Sequence, residues 1–325
     1  MKSKLLKNKI IIFAAVFYFG ILNNLNAAGT LIMKPENPGP YEDVEITFKT
    51  YSFDVDNALL TWSVDKKIIL SGKGEKTLKI KTGAIGTTIP LIVNVITATG
   101  EESNTALTLS PQAVDLTWET TESYTPPFYE GRSLPGENSE VRVIANPIFS
   151  ENGKLIPASE LSYAWYVNDS FRAAASGRGK NVMKMRLDYL SNENIIKVIA
   201  RSENGGIAEK RTTIIPNGID TIFYLNDPIY GLDLAHGIRK RFETTKEFTL
   251  VVAPYFLSNK NGLEPEINYN WSLDGLPFTP EENAVVSFSP KKGVYGSKTL
   301  SISIKNTKRM LQTTEEKLEL IFDTR

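Results

Sequence analysis

The chain has 325 residues, with 37 Lys and Arg against 37 Asp and Glu, 41% hydrophobic and 10% aromatic residues, one histidine and no cysteine. That length and apolar content suit two or three folded domains and exclude a wholly disordered chain. The missing cysteines exclude disulfide scaffolds, Cys-ligated zinc, iron–sulfur clusters and thiol nucleophiles; the single His236 excludes any site needing two imidazoles; and the balanced charge leaves no electrostatic footprint for nucleic acid.

The first predicted element is a secretory signal. Residues 2–9 carry Lys2, Lys4, Lys7 and Lys9 without an acid, Ile10–Leu22 is an apolar run of 13 residues, and Asn23–Ala28 is polar and ends in small residues. The apolar run is shorter than the roughly 17–25 residues of a spanning helix, which favours cleavage after Leu25-Asn26-Ala27 over anchoring. Removing 1–27 leaves 33 basic and 37 acidic side chains, a mildly acidic exported protein of 298 residues. Export permits disulfides, so without them each domain must be held by its core alone.

Beyond the signal the pattern is strand-like throughout. Val44-Ile46-Phe48, Leu60-Trp62-Val64 and Leu78-Ile80 alternate with polar residues, the period of half-buried strands. Leu91–Ile96, a break at Thr99-Gly100-Glu101 and Ala106–Leu109 predict a closing hairpin. It recurs as Ile195–Ala200, Asn204-Gly205-Gly206 and Thr212–Ile215, and again as Leu300–Ile304, Asn306-Thr307 and Leu318–Phe322. No later segment sustains a helical period.

A repeat organises these strands. Trp62-Ser63-Val64-Asp65, Trp165-Tyr166-Val167-Asn168 and Trp271-Ser272-Leu273-Asp274 are spaced 103 and 106 residues apart. Ser71-Gly72-Lys73-Gly74 follows the first Trp and Ser176-Gly177-Arg178-Gly179 the second; the third copy lacks this turn. Glu140–Pro147 parallels Glu247–Pro254, and a Pro-then-Tyr element opens each copy at Pro40-Tyr41, Pro127-Phe128-Tyr129 and Pro228-Ile229-Tyr230. About 99 residues per copy is close to the roughly 100 of an immunoglobulin-like sandwich. The expected fold is therefore all-β: a signal peptide or uncleaved anchor over 1–27, then tandem Ig-like domains at 28–111, 112–216 and 217–325, with Trp62, Trp165 and Trp271 at equivalent core positions. Boundaries at Pro111-Gln112-Ala113 and Pro216-Asn217-Gly218 leave linkers so short that a semi-rigid rod is expected.

The Trp-led strand, the Pro-x-Tyr opening and the closing hairpin make residues 30–323 resemble tandem bacterial Ig-like domains of the polycystic-kidney-disease (PKD) type, found in uncharacterised exported proteins. Such domains usually continue Trp with Asp-Phe-Gly-Asp-Gly, of which only Asp274-Gly275 keeps an Asp-Gly. The resemblance implies a surface or secreted location and a role in binding, adhesion or spacing.

The three tryptophans read as core, and Tyr41, Tyr129 and Tyr230 as packing at the domain joints. The Ser-Gly-Lys/Arg-Gly motifs read as turns; they lack the ending of a phosphate loop. Asp54, Asp56 and Asn57 have oxygen ligands at a spacing that suits calcium, but neither other copy repeats it and they read as an ordinary solvated loop. His236 has no nucleophile elbow to serve and reads as a surface residue. The glycosylation triplets at Asn168 and Asn270 adjoin core strands and are taken as accidental. No cofactor is expected. The candidate binding residues lie in the aromatic connections of copies two and three, Trp118, Tyr124, Phe128, Tyr129, Tyr224 and Tyr230, for which sealing the interdomain joints is an equal alternative. The expected function is a non-catalytic exported rod that binds a protein or cell-surface polysaccharide, binds no nucleic acid, and is tethered to a membrane only if 1–27 is retained, because the sequence stops at Arg325 without a sorting signal. The alternative is a carbohydrate-active hydrolase, or its accessory carbohydrate-binding module, using carboxylates such as Glu119, Glu122, Asp227 and Asp233.

Overall fold

The computed structural model describes residues 29–323 apart from 189, 260–264, 292, 294 and 310; the expected signal segment lies outside the described residues. Among those residues the regular structure is strand, interrupted by three single-turn 3-10 helices, and no helix is long and apolar enough to cross a membrane. The chain divides into two compact units, one of residues 29–36, 43–81 and 88–109, the other of 37–42, 82–87 and everything from 110 on.

The first unit holds β1 (Thr30–Lys34), β2 (Asp43–Lys49), β3 (Leu59–Val64), β4 (Lys67–Lys73), β5 (Thr77–Lys81), β6 (Ile89–Ile96) and β7 (Glu102–Leu109). They pair as two antiparallel sheets of order β1-β2-β5 and β4-β3-β6-β7. The period-2 alternation decides which side chains meet between them: Val44, Ile46, Phe48, Leu60, Trp62, Leu91, Val93 and Val95 are buried in one core.

The second unit contains two further sandwiches, each around a core of its own. In the first of these β8 (Ala113–Thr120), β9 (Glu140–Glu151), β10 (Lys154–Ile156) and β14 (Val182–Arg186) face β11 (Ser162–Val167), β12 (Ser170–Phe171), β13 (Gly177–Arg178), β15 (Asn194–Arg201) and β16 (Ile207–Ile214). In the other, β17 (Asp220–Asp227), β18 (Gly231–Leu232), β20 (Phe248–Tyr255) and β23 (Val285–Phe288) face β19 (Arg241–Thr244), β21 (Ile267–Leu273), β22 (Leu276–Phe278), β24 (Tyr295–Asn306) and β25 (Thr313–Asp323). Among the described strands β19 alone pairs in parallel, with β25, from Arg241 opposite Glu319 to Thr244 opposite Phe322. The chain is thus an all-β array of three tandem Ig-like sandwiches.

The Trp repeat is spatial as well as sequential. Trp62, Trp165 and Trp271 lie opposite Val93, Val198 and Ile302 on the neighbouring long strand, and all three are buried. A buried indole N–H needs an acceptor. Each Nε1 donates to a backbone carbonyl of the segment that follows, Glu75 at 2.6 Å, Lys180 at 2.9 Å and Asn283 at 2.8 Å. The fourth residue of each tetrapeptide has its own cause. Asp65-Lys66, Asn168-Asp169 and Asp274-Gly275 all take positive φ, as the centre of a two-residue hairpin turn requires, and Asp, Asn and Gly enter that region at least cost. Asn168 Oδ1 then accepts the Ile195 N–H at 2.9 Å, and Asp274 Oδ1 that of Thr299 at 2.8 Å.

The Pro-then-Tyr elements are not equivalent. Tyr41 is 65% exposed and Tyr230 88%, so neither packs at a joint as expected, whereas Tyr129 is packed. Tyr230 sits in a turn after β17 where the Asp227 carboxylate accepts the N–H groups of Ile229 and Tyr230 at 2.8 and 3.0 Å. Those two bonds hold the Asp227 carboxyl below its ordinary range.

Candidate functional site at the joint of the second and third sandwiches

The connection from β8 to β9, residues 121–139, crosses onto the third sandwich. Tyr124 donates to Leu257 O and accepts from Phe256 N, both at 2.7 Å, and Asn217 N donates to Pro135 O at 2.8 Å. Gly136 is where the backbones come closest: a Cβ there would lie 2.2 Å from Phe256 O, so only glycine fits. Phe256 itself takes a φ of 63°, which turns the chain out of β20 into this contact.

Beneath the crossing lies a buried polar network. Ser139 Oγ contacts Ser258 Oγ, Gln312 Nε2 donates to Glu137 O and to Ser258 Oγ, Gln312 Oε1 accepts Ser258 N at 2.9 Å, and Asn306 Nδ2 donates to Ser258 O at 3.0 Å. All four side chains are almost wholly buried. At the margin one Glu122 oxygen accepts from Arg186 of the second sandwich at 3.0 Å and Arg309 of the third at 2.9 Å. Burial raises the Glu122 carboxyl, but the hydrogen bonds and charges of the two guanidinium groups outweigh it and hold it below its ordinary value.

Aromatic side chains of the same connection cover the outward face of β17 and β20. Phe128 meets Tyr224 edge to face at 5.4 Å between ring centroids, Tyr129 meets Tyr255 at 5.5 Å, and the Tyr224 and Tyr255 hydroxyls share a hydrogen bond of 2.7 Å. Burial, with that hydrogen bond second, pushes the Tyr255 hydroxyl well above its ordinary range.

Beside this cluster an apolar cleft of about 580 Å³ opens between the connection and the edge of β20, lined by Tyr124, Phe128, Leu232, Val252, Tyr269 and Glu282 among others. Its cause is local. β23 pairs with β20 only from Phe248 to Val251, Val252 N adds a bond to Ala284 O, and the next partner on that edge is Tyr124 at Phe256. Pro254 occupies the interval and has no N–H to satisfy, so the gap orphans no donor. Burial raises the hydroxyls of Tyr124 and Tyr269. Glu282 is the one acid among the described residues lining the cleft.

The expected binding residues thus divide. Tyr124 and Phe128 line the cleft, Tyr129 and Tyr224 belong to the cluster beside it, and Tyr230 stands apart on its turn. Trp118 packs on the second core and is capped by the Arg132 guanidinium, 3.6 Å from its ring centroid. The aromatics of this connection thus pack at the joint, and its backbone pairing with Phe256 and Leu257 has no counterpart in any sequence motif. The signal it leaves in the sequence is length: 19 residues between β8 and β9, against eight or fewer between the other consecutive paired strands described.

The other candidates have local partners. Asp54 caps the 3-10 turn Val55–Asn57, accepting Asp56 N at 3.0 Å and Asn57 Nδ2 at 2.6 Å, and Asp56 pairs with Lys76 at 2.9 Å. Glu119 pairs with Arg142, and exposed His236 lies 3.0 Å from Asp233.

No protein-family model matches the chain, and no curated protein matches it. Among solved structures it is similar to fibronectin(III)-like modules of Clostridium thermocellum CbhA, at 14% identity over 58% of this chain and 94% of that one, with a TM-score of 0.27. It is also similar to three N-terminal domains of the bacteriophage RB49 outer capsid protein Hoc, at 13% identity over 92% and 98% and a TM-score of 0.25. The central fibronectin-III array of RIM-binding protein matches at 12% identity over 91% and 97%, with a TM-score of 0.30. Superposition at these scores is loose, and the sandwich fold stands on the chain's own sheets.

Proposed function

We propose that the protein is an exported, non-catalytic array of three Ig-like domains, 28–111, 112–216 and 217–325, that binds a protein or polysaccharide partner outside the cytoplasm through the cleft at its second joint. The observation that carries this is the pairing of an apolar cleft with a joint locked by buried hydrogen bonds. Binding sites favour domain interfaces, where walls from two domains enclose more ligand surface than one sheet can, and a locked joint keeps those walls in place without the entropic cost of closing them. A cleft with one acid among its lining residues favours recognition over two-carboxylate hydrolysis.

The test is binding of the purified chain to a glycan array and to immobilised surface proteins, repeated with Asn283→Trp, which fills the cleft from its exposed rim, and Leu232→Arg, which places a charge in it. Both variants losing binding with unchanged thermal unfolding supports the reading. A ligand bound equally by wild type and both variants moves the function to another surface.

A further inference from the structure

The three sandwiches carry equivalent Trp-containing sheets, and their outward faces differ in one respect. On the second, Lys197 lies opposite Arg211 and Ile199 opposite Glu209. On the third, Ser301 lies opposite Lys317, Ser303 opposite Glu315 and Thr299 opposite Glu319. Such faces are solvated. The first sandwich's face has three registered rows across β4, β3, β6 and β7: Lys73-Leu59-Ile96-Glu102, Ser71-Thr61-Asn94-Asn104 and Ile68-Ser63-Ile92-Ala106. Its charges stand only at the two ends of one row. Ile68 is 68% exposed, Leu59 and Ile92 40% each. The Thr61 and Ser71 hydroxyls bond each other at 2.8 Å and Ser63 Oγ donates to Ile92 O at 3.3 Å, so part of the hydrogen-bonding capacity of these groups is met within the face. Neither Lys73 nor Glu102 has an ion-pair partner among the described residues.

We propose that this face binds a second copy of the same chain. A two-fold axis along the strands, midway between β3 and β6, lays each row on itself reversed. Lys73 then meets Glu102 of the other copy, twice per dimer, so the two unpaired charges satisfy each other. Leu59 meets Ile96. In the third row Ile68 meets Ala106 and Ile92 meets Ser63, large on small in each case, which lets the two faces interdigitate at the spacing of stacked sheets. A heterologous partner would have no reason to match this pattern of ends and sizes; self-pairing does so with one operation.

Sedimentation of the full chain over a wide concentration range tests it, with unfolding curves confirming that each variant folds. Wild type should show a reversible monomer–dimer equilibrium. Lys73→Glu and Glu102→Lys should each raise the dissociation constant about tenfold, by setting like charges against each other in two symmetry-related pairs, and the double exchange should restore it. Ile92→Arg should abolish the dimer. A wild-type chain monomeric throughout, a dimer indifferent to Ile92→Arg, or a double exchange as weak as the single ones would each overturn the proposal.

Discussion

The interior of each sandwich and the joint between the second and third are both buried, but they are held by different chemistry. The interiors are aliphatic and aromatic around one tryptophan with a single hydrogen bond. The joint is built from Ser139, Ser258, Asn306 and Gln312, with Glu122 shared between two arginines at its margin. Apolar contact is non-directional and sets how much energy is gained, whereas a closed set of hydrogen bonds is met in one geometry only and sets where the parts sit. The cores therefore govern stability and the joint governs the angle between two domains.

Breaking a core should cost most. Trp165→Ala removes a fully buried indole and orphans the Lys180 carbonyl, and should lower unfolding free energy by roughly 3–5 kcal/mol in urea titration. Next comes the joint: Gln312→Leu removes partners from Ser258 N, Ser258 Oγ and Glu137 O at once, and should cost about 1–3 kcal/mol while broadening the distribution of interdomain distances measured between spin labels in the two domains. Loss of stability without that broadening would mean the network is merely another core. Gly136→Ala should broaden the same distances while leaving the separate cores intact, since the nearest atoms to its Cβ are the Phe256 carbonyl and the Gln312 amide of the joint.

Glu122 gives the comparison a pH axis. Its carboxyl is lowered in the folded chain, so the unfolded state binds the proton more readily. Its contribution is fully present above the ordinary value of 4.5 and is lost as pH falls through the lower folded value. Glu122→Gln should flatten the acid limb of the stability curve between those two values, and equal limbs in both proteins would remove Glu122 from the joint. The smallest effect is expected at Tyr230→Ala: an 88% exposed ring on a turn held by Asp227 should change stability by no more than about 0.5 kcal/mol.

These contrasts explain what was legible in sequence. Strand alternation, three core tryptophans and the closing hairpins could be read because each is a local pattern with one physical cause, burial of every second residue. The Asp or Asn after each Trp strand was visible, but its cause, a turn with positive φ, was not. The Pro-then-Tyr repeat misled, because likeness at Tyr41, Tyr129 and Tyr230 is not matched by their surroundings. The polar network of the joint lay beyond reach. Ser139, Ser258 and Gln312 are ordinary polar residues 119 and 54 positions apart along the chain, and nothing in their neighbours announces that they are buried together.

The parallel pairing of β19 with β25 bears on how the third sandwich would respond to tension. Strands that run the same way and are drawn from opposite ends slide past each other, so the contacts from Arg241–Glu319 to Thr244–Phe322 are loaded together. A hairpin such as β24–β25, pulled from its open end, instead parts one rung at a time. Resistance to pulling is set by the rate of crossing the unfolding barrier, not by equilibrium stability. A load applied at the start of β19 and the end of β25 would shear this short patch, in a protein that has no disulfide to take the strain.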